Sequence, residues 1–334
     1  MFKTFKFTKK LFTFLIIFLF ILFLLSRGCV PQKEEVEYGV TFSARQAEDL
    51  GLDWKEVFRE MIYDLGARKI RLSAYWDEIE KSKRIFSWEK IDWQLGAASQ
   101  VDSEIILSVG GRLPRWPECH FPDWAEKLEE KEREAEILRY IKATVLRYRD
   151  NENIVAWQVE NEPFLSHFGD CPELNPDFLD KEIALVKSLD DRPVIVTDSG
   201  ELSLWVPAAK RADIFGTTMY KNTYSNLLQS YVHYPIEPGF FRFKKNIARL
   251  FADPQEWIVI ELQGEPWGPI PFQDLSKSER DKTMDLEKLI EISDFARRAG
   301  FDKLYFWGVE WWYWEKETQN NPTLWNYTKT LFQD

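Results

Sequence analysis

Short, continuous apolar runs alternate with longer amphipathic stretches from about Val36 to the end of the chain. The runs are Glu37–Phe42, Lys69–Ser73, Glu104–Val109, Ile154–Val159, Val194–Thr197, Ile214–Met219, Trp257–Leu262 and Lys303–Trp307. Apolar runs of this length without strict alternation predict strands buried on both faces, as in a parallel sheet. Between them the periodicity predicts helices over Trp54–Leu65, Trp124–Arg147, Pro176–Leu189 and Asp285–Ala299. Eight strands alternating with helical stretches in about 300 residues predict an α/β fold, a single (β/α)8 TIM barrel over residues 34–334. Mixed-sign charges from Glu129 to Glu136 predict the solvated face of one helix. The aromatic stretches Gly200–Val206 and Lys221–Arg249 look irregular, and the second predicts a long loop over the barrel mouth.

Residues 1–33 carry a different pattern. Lys3, Lys6, Lys9 and Lys10 precede an almost unbroken apolar run, Leu11–Leu25. A basic segment followed by such a run predicts a signal peptide or membrane anchor. With only Arg27 soon after the run, the N-terminus stays inside and the barrel outside. The barrel is therefore expected to be extracytoplasmic, either membrane-anchored through this segment or secreted. Cys29 follows Leu25-Ser26-Arg27-Gly28, which is similar to a lipoprotein box but with Ser26 and Arg27 at atypical positions. Cleavage, lipidation and an uncleaved anchor all stay open.

Excluding the leader sharpens the charge. Five of the 44 basic residues and none of the 55 acidic ones lie in the first thirty positions, leaving a formal charge of about −16 on the remainder. Such a field repels phosphate backbones and disfavours a nucleic-acid partner. The aromatic share is 16%, with 15 Trp. A surplus of indoles suits a sugar-binding cleft, since pyranose faces stack on them, and suits a Trp-rich core equally well. Cys119 and Cys171 fall in expected loops and either pair in an oxidising compartment or stay as two buried thiols. The three His are scattered, no Cys/His cluster has ligand spacing and no Gly-rich phosphate loop occurs, so neither metal nor cofactor is expected. Nothing in the sequence sets an oligomeric state.

Two strand ends carry the chemistry. Trp157-Gln158-Val159-Glu160-Asn161-Glu162-Pro163 closes the fourth expected strand. In a barrel, functional groups sit at the C-terminal ends of strands, and a carboxyl there can protonate a leaving oxygen once burial raises its pKa. Asn161 offers a neighbouring amide to a substrate hydroxyl. Glu256-Trp257-Ile258-Val259-Ile260-Glu261-Leu262-Gln263-Gly264 closes the seventh strand. A charge at the end of a buried strand costs several kcal/mol unless it is partnered or used. Glu162 and Glu261 thus fall three βα units apart and face each other across the mouth. Two such carboxylates are the minimum machinery for cleaving a glycosidic bond.

On these residues the chain resembles the large clan of retaining glycoside hydrolases on (β/α)8 barrels, with acid/base and nucleophile on strands four and seven. The resemblance implies that Glu162 is the acid/base and Glu261 the nucleophile. It also implies that Arg71 keeps the nucleophile ionised, that Tyr220 hydrogen-bonds it, and that Trp307 floors the sugar subsite. Tyr75-Trp76-Asp77-Glu78-Ile79-Glu80 and Phe86-Ser87-Trp88 look like the clan's loop after strand two. The clan's active-site histidines have no clear counterpart, since His120 and His167 lie in loops, and no single family fits the surroundings of Glu261. The expected activity is hydrolysis of a β-linked glycoside by double displacement, with transglycosylation as a close relative. Glu265 is the rival nucleophile and Glu160 the rival acid. Each supporting residue has a plain structural alternative: an ordinary ion pair for Arg71, a core tyrosine for Tyr220, and core or rim positions for Trp307, Trp311 and Trp312. A catalytically inactive, membrane-tethered carbohydrate-binding barrel and a surface scaffold are the rival functions.

Overall fold

The computed structural model describes residues 35–165, 168–173 and 175–333. The apolar run Leu11–Leu25, Cys29 and His167 lie outside the described residues. Eight parallel strands close into a barrel: Glu37–Thr41, Lys69–Ser73, Glu104–Val109, Ile154–Val159, Val194–Asp198, Ile214–Met219, Glu256–Gln263 and Lys303–Trp307. Closure comes from the eighth strand pairing with the first, Glu37 opposite Lys303 through Thr41 opposite Trp307. The expected strands are all present, with ends shifted by a residue where backbone pairing runs past or stops short of the apolar run.

Two layers of apolar packing result. Ile106, Ala156, Ile195, Ile258, Ile260 and Tyr305 form a small cluster of their own, the barrel filling. The larger core lies between strands and helices. A Cβ on Gly39 would lie 2.5 Å from the Tyr305 ring, so the first strand has glycine where the eighth places that ring.

The helices follow the periodicity, with corrections at their ends. Trp124–Arg147 splits into Asp123–Glu126 and Glu130–Tyr148, because Glu129 is extended (φ −60°, ψ 151°) and starts the second helix. Asp285 is an N-cap rather than a helical residue, its carboxylate accepting from the Lys288 amide, and the helix is Leu286–Arg298. Pro176–Leu189 is observed as expected. Lys221–Arg249 is not one irregular loop. It holds a hairpin, Asn222–Ser225 against Ser230–His233, and then the helix Pro238–Ala248 with proline in its first turn. Its aromatic residues mask these short elements because Tyr224 and Tyr231 pack on each other across the hairpin, while Phe241 packs inward on Phe295.

The tryptophan surplus belongs mostly to the core. Trp76, Trp157, Trp205, Trp312 and Trp325 are fully buried, and Trp311 is nearly so.

One irregularity sets the site. Along the seventh strand, Val259 pairs with Thr217 but Glu261 with Thr218, and on the other edge Val259 pairs with Leu304 but Leu262 with Phe306. The strand therefore carries one extra residue at Ile260–Glu261. Strict alternation would send Glu261 to the opposite face from Ile260. The bulge turns both inward instead, leaving Leu262 to pack outward with Val259 in the larger core.

Candidate active site

Arg71, in the second strand, is fully buried and makes three side-chain hydrogen bonds at the barrel mouth. Its Nη1 donates to Glu261 Oε1 at 2.7 Å, Nη2 to Asn161 Oδ1 at 2.7 Å, and Nε to Gln158 Oε1 at 2.8 Å. One guanidinium fork thus ties the second, fourth and seventh strands. The other oxygen of Glu261 accepts from the Tyr220 hydroxyl at 3.0 Å. Burial and the charge of Glu261 push the Tyr220 phenol well above its usual range, so it stays a donor.

Glu162 sits at the end of the fourth strand with φ 41°, and Glu160, two residues before it, has φ 58°. Left-handed backbone at non-glycine residues costs about 1–3 kcal/mol and is retained where surrounding contacts enforce it. Here the Glu162 amide donates to Thr197 Oγ1 at 2.8 Å, and Thr218 Oγ1 donates to Glu162 Oε1 at 3.3 Å. Burial, with the charge of Glu261 next, raises the Glu162 carboxyl well above the ordinary carboxylate range. The shift favours its protonated form.

The two rivals are committed elsewhere. Glu160 accepts the amides of Gly111 at 2.7 Å and Arg112 at 2.6 Å, and it lies within charge reach of buried Glu182, whose carboxyl burial raises strongly. Glu265 accepts from Arg115 Nη1 at 2.5 Å and from Trp307 Nε1 at 2.7 Å. Arg115 also covers the Trp307 ring at 4.0 Å and donates to Glu310 at 2.8 Å. Trp307 is therefore 6% exposed, with a guanidinium on one face. His120 has its ring nitrogens against Arg45 and the Leu113 and Arg115 carbonyls. Burial, then the charge of Arg45, lowers it to about 4, so it is neutral.

Sequence reasoning missed Glu118. It reaches the mouth from the loop after the third strand, is 4% exposed, and accepts from Asn161 Nδ2 at 3.0 Å. Burial and then the charge of Glu261 push it up to about 8. A lone acid between Pro117 and Cys119 carries no sequence signal. Gln158 stood inside the motif but was assigned no task; only the fork of Arg71 shows one.

The loops after the third and fourth strands are fastened together. Cys119 and Cys171 form a disulfide. Arg112 donates to the carbonyls of Leu165 at 3.0 Å and Phe168 at 2.9 Å, and the Asp170 amide to Pro117 at 2.9 Å. Along this rim Tyr220, Trp267, Phe168 and Trp116 stand in a row, with ring centroids 5.3, 5.8 and 6.4 Å apart. Trp116, at its end, is 63% exposed. Two cavities of roughly 520 and 400 Å³ are present, but neither is lined by Glu162 or Glu261. The site is defined by converging polar groups.

Known proteins share this architecture at low identity. No protein-family model matches the chain. A "Beta-galactosidase BgaA" of Clostridium cellulovorans is 23% identical over 166 residues, 44% of this chain and 25% of that protein. The chain thus spans about a quarter of the length of the curated relative it matches. Among solved structures, a glycosylated endo-β-1,4-xylanase of glycoside hydrolase family 10 from Gloeophyllum trabeum superposes with a TM-score of 0.58 at 15% identity, covering 90% of this chain and 98% of that one. A GH5_18 protein from Streptomyces cattleya gives 0.57 at 12% identity over 82% and 71%. A β-galactosidase from Marinomonas ef1 gives 0.53 at 14% over 81% and 53%. The fold of this chain is the eight-stranded barrel on which these glycoside hydrolases are built.

Proposed function

We propose that the chain is a retaining glycoside hydrolase, acting on a β-linked glycoside by double displacement. The observation that carries this reading is the pair of buried carboxyls at one mouth in opposite states of preparation. Glu261 is gripped by a guanidinium and a phenol, while burial raises the Glu162 carboxyl and favours its protonated form. In the proposed cycle, Glu261 attacks the anomeric carbon while Glu162 protonates the departing oxygen. Glu162 then acts as a base toward water, which releases the sugar with retained configuration. Asn161, fixed by Arg71 and Glu118, is placed to bind a sugar hydroxyl, and the row from Tyr220 to Trp116 offers ring faces to further sugar units. The relatives being a xylanase, a β-galactosidase and a GH5_18 protein supports a carbohydrate substrate.

The experiment is turnover of an aryl β-glycoside panel by the purified protein and by Glu162→Gln. Loss of the acid is expected to lower kcat/KM on poor leaving groups by about 10²–10⁴-fold, and far less on an activated dinitrophenolate. The protonated form is the active one, so wild-type kcat/KM on poor leaving groups falls as pH rises through the raised pKa of Glu162. That alkaline limb is lost in Glu162→Gln. Equal losses on all leaving groups would remove Glu162 from the acid role. Glycan binding without turnover in the unmodified protein would favour the inactive carbohydrate-binding barrel.

We also propose an extracytoplasmic location, anchored or secreted, for which the Cys119–Cys171 disulfide is the structural support. Protein captured from cells in alkylating buffer is expected to leave both cysteines unmodified until a reductant is added. Alkylation of both before reduction would point to a reducing compartment.

A further inference from the structure

Glu118 is held with more care than a solvated loop acid needs. Its backbone is left-handed (φ 74°), with its amide donating to the Arg115 carbonyl and its carbonyl accepting from the Leu113 amide, both at 2.8 Å. Gly169, at φ 82°, packs on its stem: a Cβ there would lie 2.7 Å from Glu118 Cβ. The neighbouring Cys119–Cys171 bond and the Arg112 contacts fix both loops. The result is a carboxyl aimed at Asn161, itself bonded to Arg71, which in turn holds Glu261.

Charge around this cluster is unbalanced. Glu118, Glu162 and Glu261 lie within one another's fields, and the guanidiniums that offset them are Arg71 and Arg112. Arg71 is spent on Glu261, Asn161 and Gln158, and Arg112 donates to two backbone carbonyls. Burial and this mutual repulsion raise Glu162, and raise Glu118 to about 8, which favours the protonated form of each. A cation delivered beside Glu118 would relieve the imbalance, with Glu118 ionised and its lone pairs filled.

On the reading of the site as a glycosidase, the nucleophile meets the anomeric carbon, and hydrogen bonds to the substituent on the adjoining ring carbon strengthen in the transition state; Asn161, held beside Glu261 by the Arg71 fork, is placed to make one. We infer that Glu118 is a specificity-determining residue that receives a free ammonium at that carbon, so that the substrate is a 2-amino-2-deoxy glycoside. The acidic character of the whole barrel draws such a substrate in and turns uronic acids away. Beside a neutral hydroxyl Glu118 keeps its own proton, and no ion pair is gained. An N-acetyl group would bury a methyl against a carboxyl.

The test compares the full-length wild-type protein with Glu118→Gln at mildly acidic pH, where the sugar amine is charged. The substrates are aryl β-glycosides of glucosamine, galactosamine and mannosamine, beside their N-acetylated and parent 2-hydroxyl counterparts. Wild type is expected to favour one amino glycoside over its neutral counterparts by on the order of 100-fold in kcat/KM. In Glu118→Gln that ratio should fall to within about fivefold. A wild-type preference for the hydroxyl or N-acetyl series overturns the inference whether or not the variant folds, and so does a preference that survives in Glu118→Gln. Absence of turnover on every series would sink the glycosidase reading instead, and calorimetric titration with the free monosaccharides separates the two failures. Tighter binding of an amino sugar than of its neutral parent, lost in Glu118→Gln, supports the inference without turnover; equal binding overturns it.

Discussion

Glu261→Ala is expected to lower turnover of aryl β-glycosides by on the order of 10⁵-fold, and azide should restore part of it. The reasoning follows from the bulge in the seventh strand, which turns Glu261 toward Arg71 and Tyr220 across the mouth from Glu162. Truncation leaves a gap on one face of the anomeric carbon, with the proposed proton donor intact on the other. A small anion entering that gap completes a single displacement, so the product is a glycosyl azide of inverted configuration. The control is Glu265→Ala. Its carboxylate is engaged with Arg115 and Trp307, so it should give no azide product. Azide adducts from Glu265→Ala and none from Glu261→Ala would reverse the assignment.

Arg71→Met is expected to cost both activity and stability. Its guanidinium is fully buried and bonded to three side chains from two other strands. Removing one partner of a buried ion pair leaves the other charge uncompensated, which costs about 3–5 kcal/mol. Denaturant unfolding at neutral pH should show a loss of that size. The double variant Arg71→Met/Glu261→Gln should recover part of it, because the stranded charge is gone while Gln158 and Asn161 still lack their donor. Additive losses would mean that Arg71 acts through its hydrogen bonds to the fourth strand alone. An unchanged unfolding midpoint in Arg71→Met would refute the charge argument.

How much of this was legible in the sequence depends on what each residue faces. The barrel was readable because strands buried on both sides must be apolar throughout, and eight such runs recur. Glu162 and Glu261 were readable because a charge at the end of such a run stands out. The bulge that aims Glu261 was not, since an inserted residue in a run of Ile and Val leaves the composition unchanged and shows only in the pairing of both neighbours. Glu118 was not, because its position depends on a loop crossing over another loop at Gly169. The indoles were ambiguous in the sequence, because stacking surface and core filling use the same residue; Trp311 and Trp312 are core. The stretch after Tyr220 hid a helix because its aromatic density resembles a loop's.

The Arg115 cluster has a consequence for how the mouth opens. Ser43 follows the first strand and donates to Glu310. Arg115 follows the third strand and grips both Glu310 and Glu265, while Glu265 also holds the eighth-strand Trp307. Segments distant in sequence therefore share one set of buried charges, and none can swing out without stranding a charge in another. Local fluctuation at this end of the barrel becomes cooperative: these segments share a single opening free energy rather than each having its own. Amide exchange would register that as common protection across Ser43, the Arg115 loop and the start of the helix Val309–Thr318, which carries Glu310. The rim is then one mechanical part.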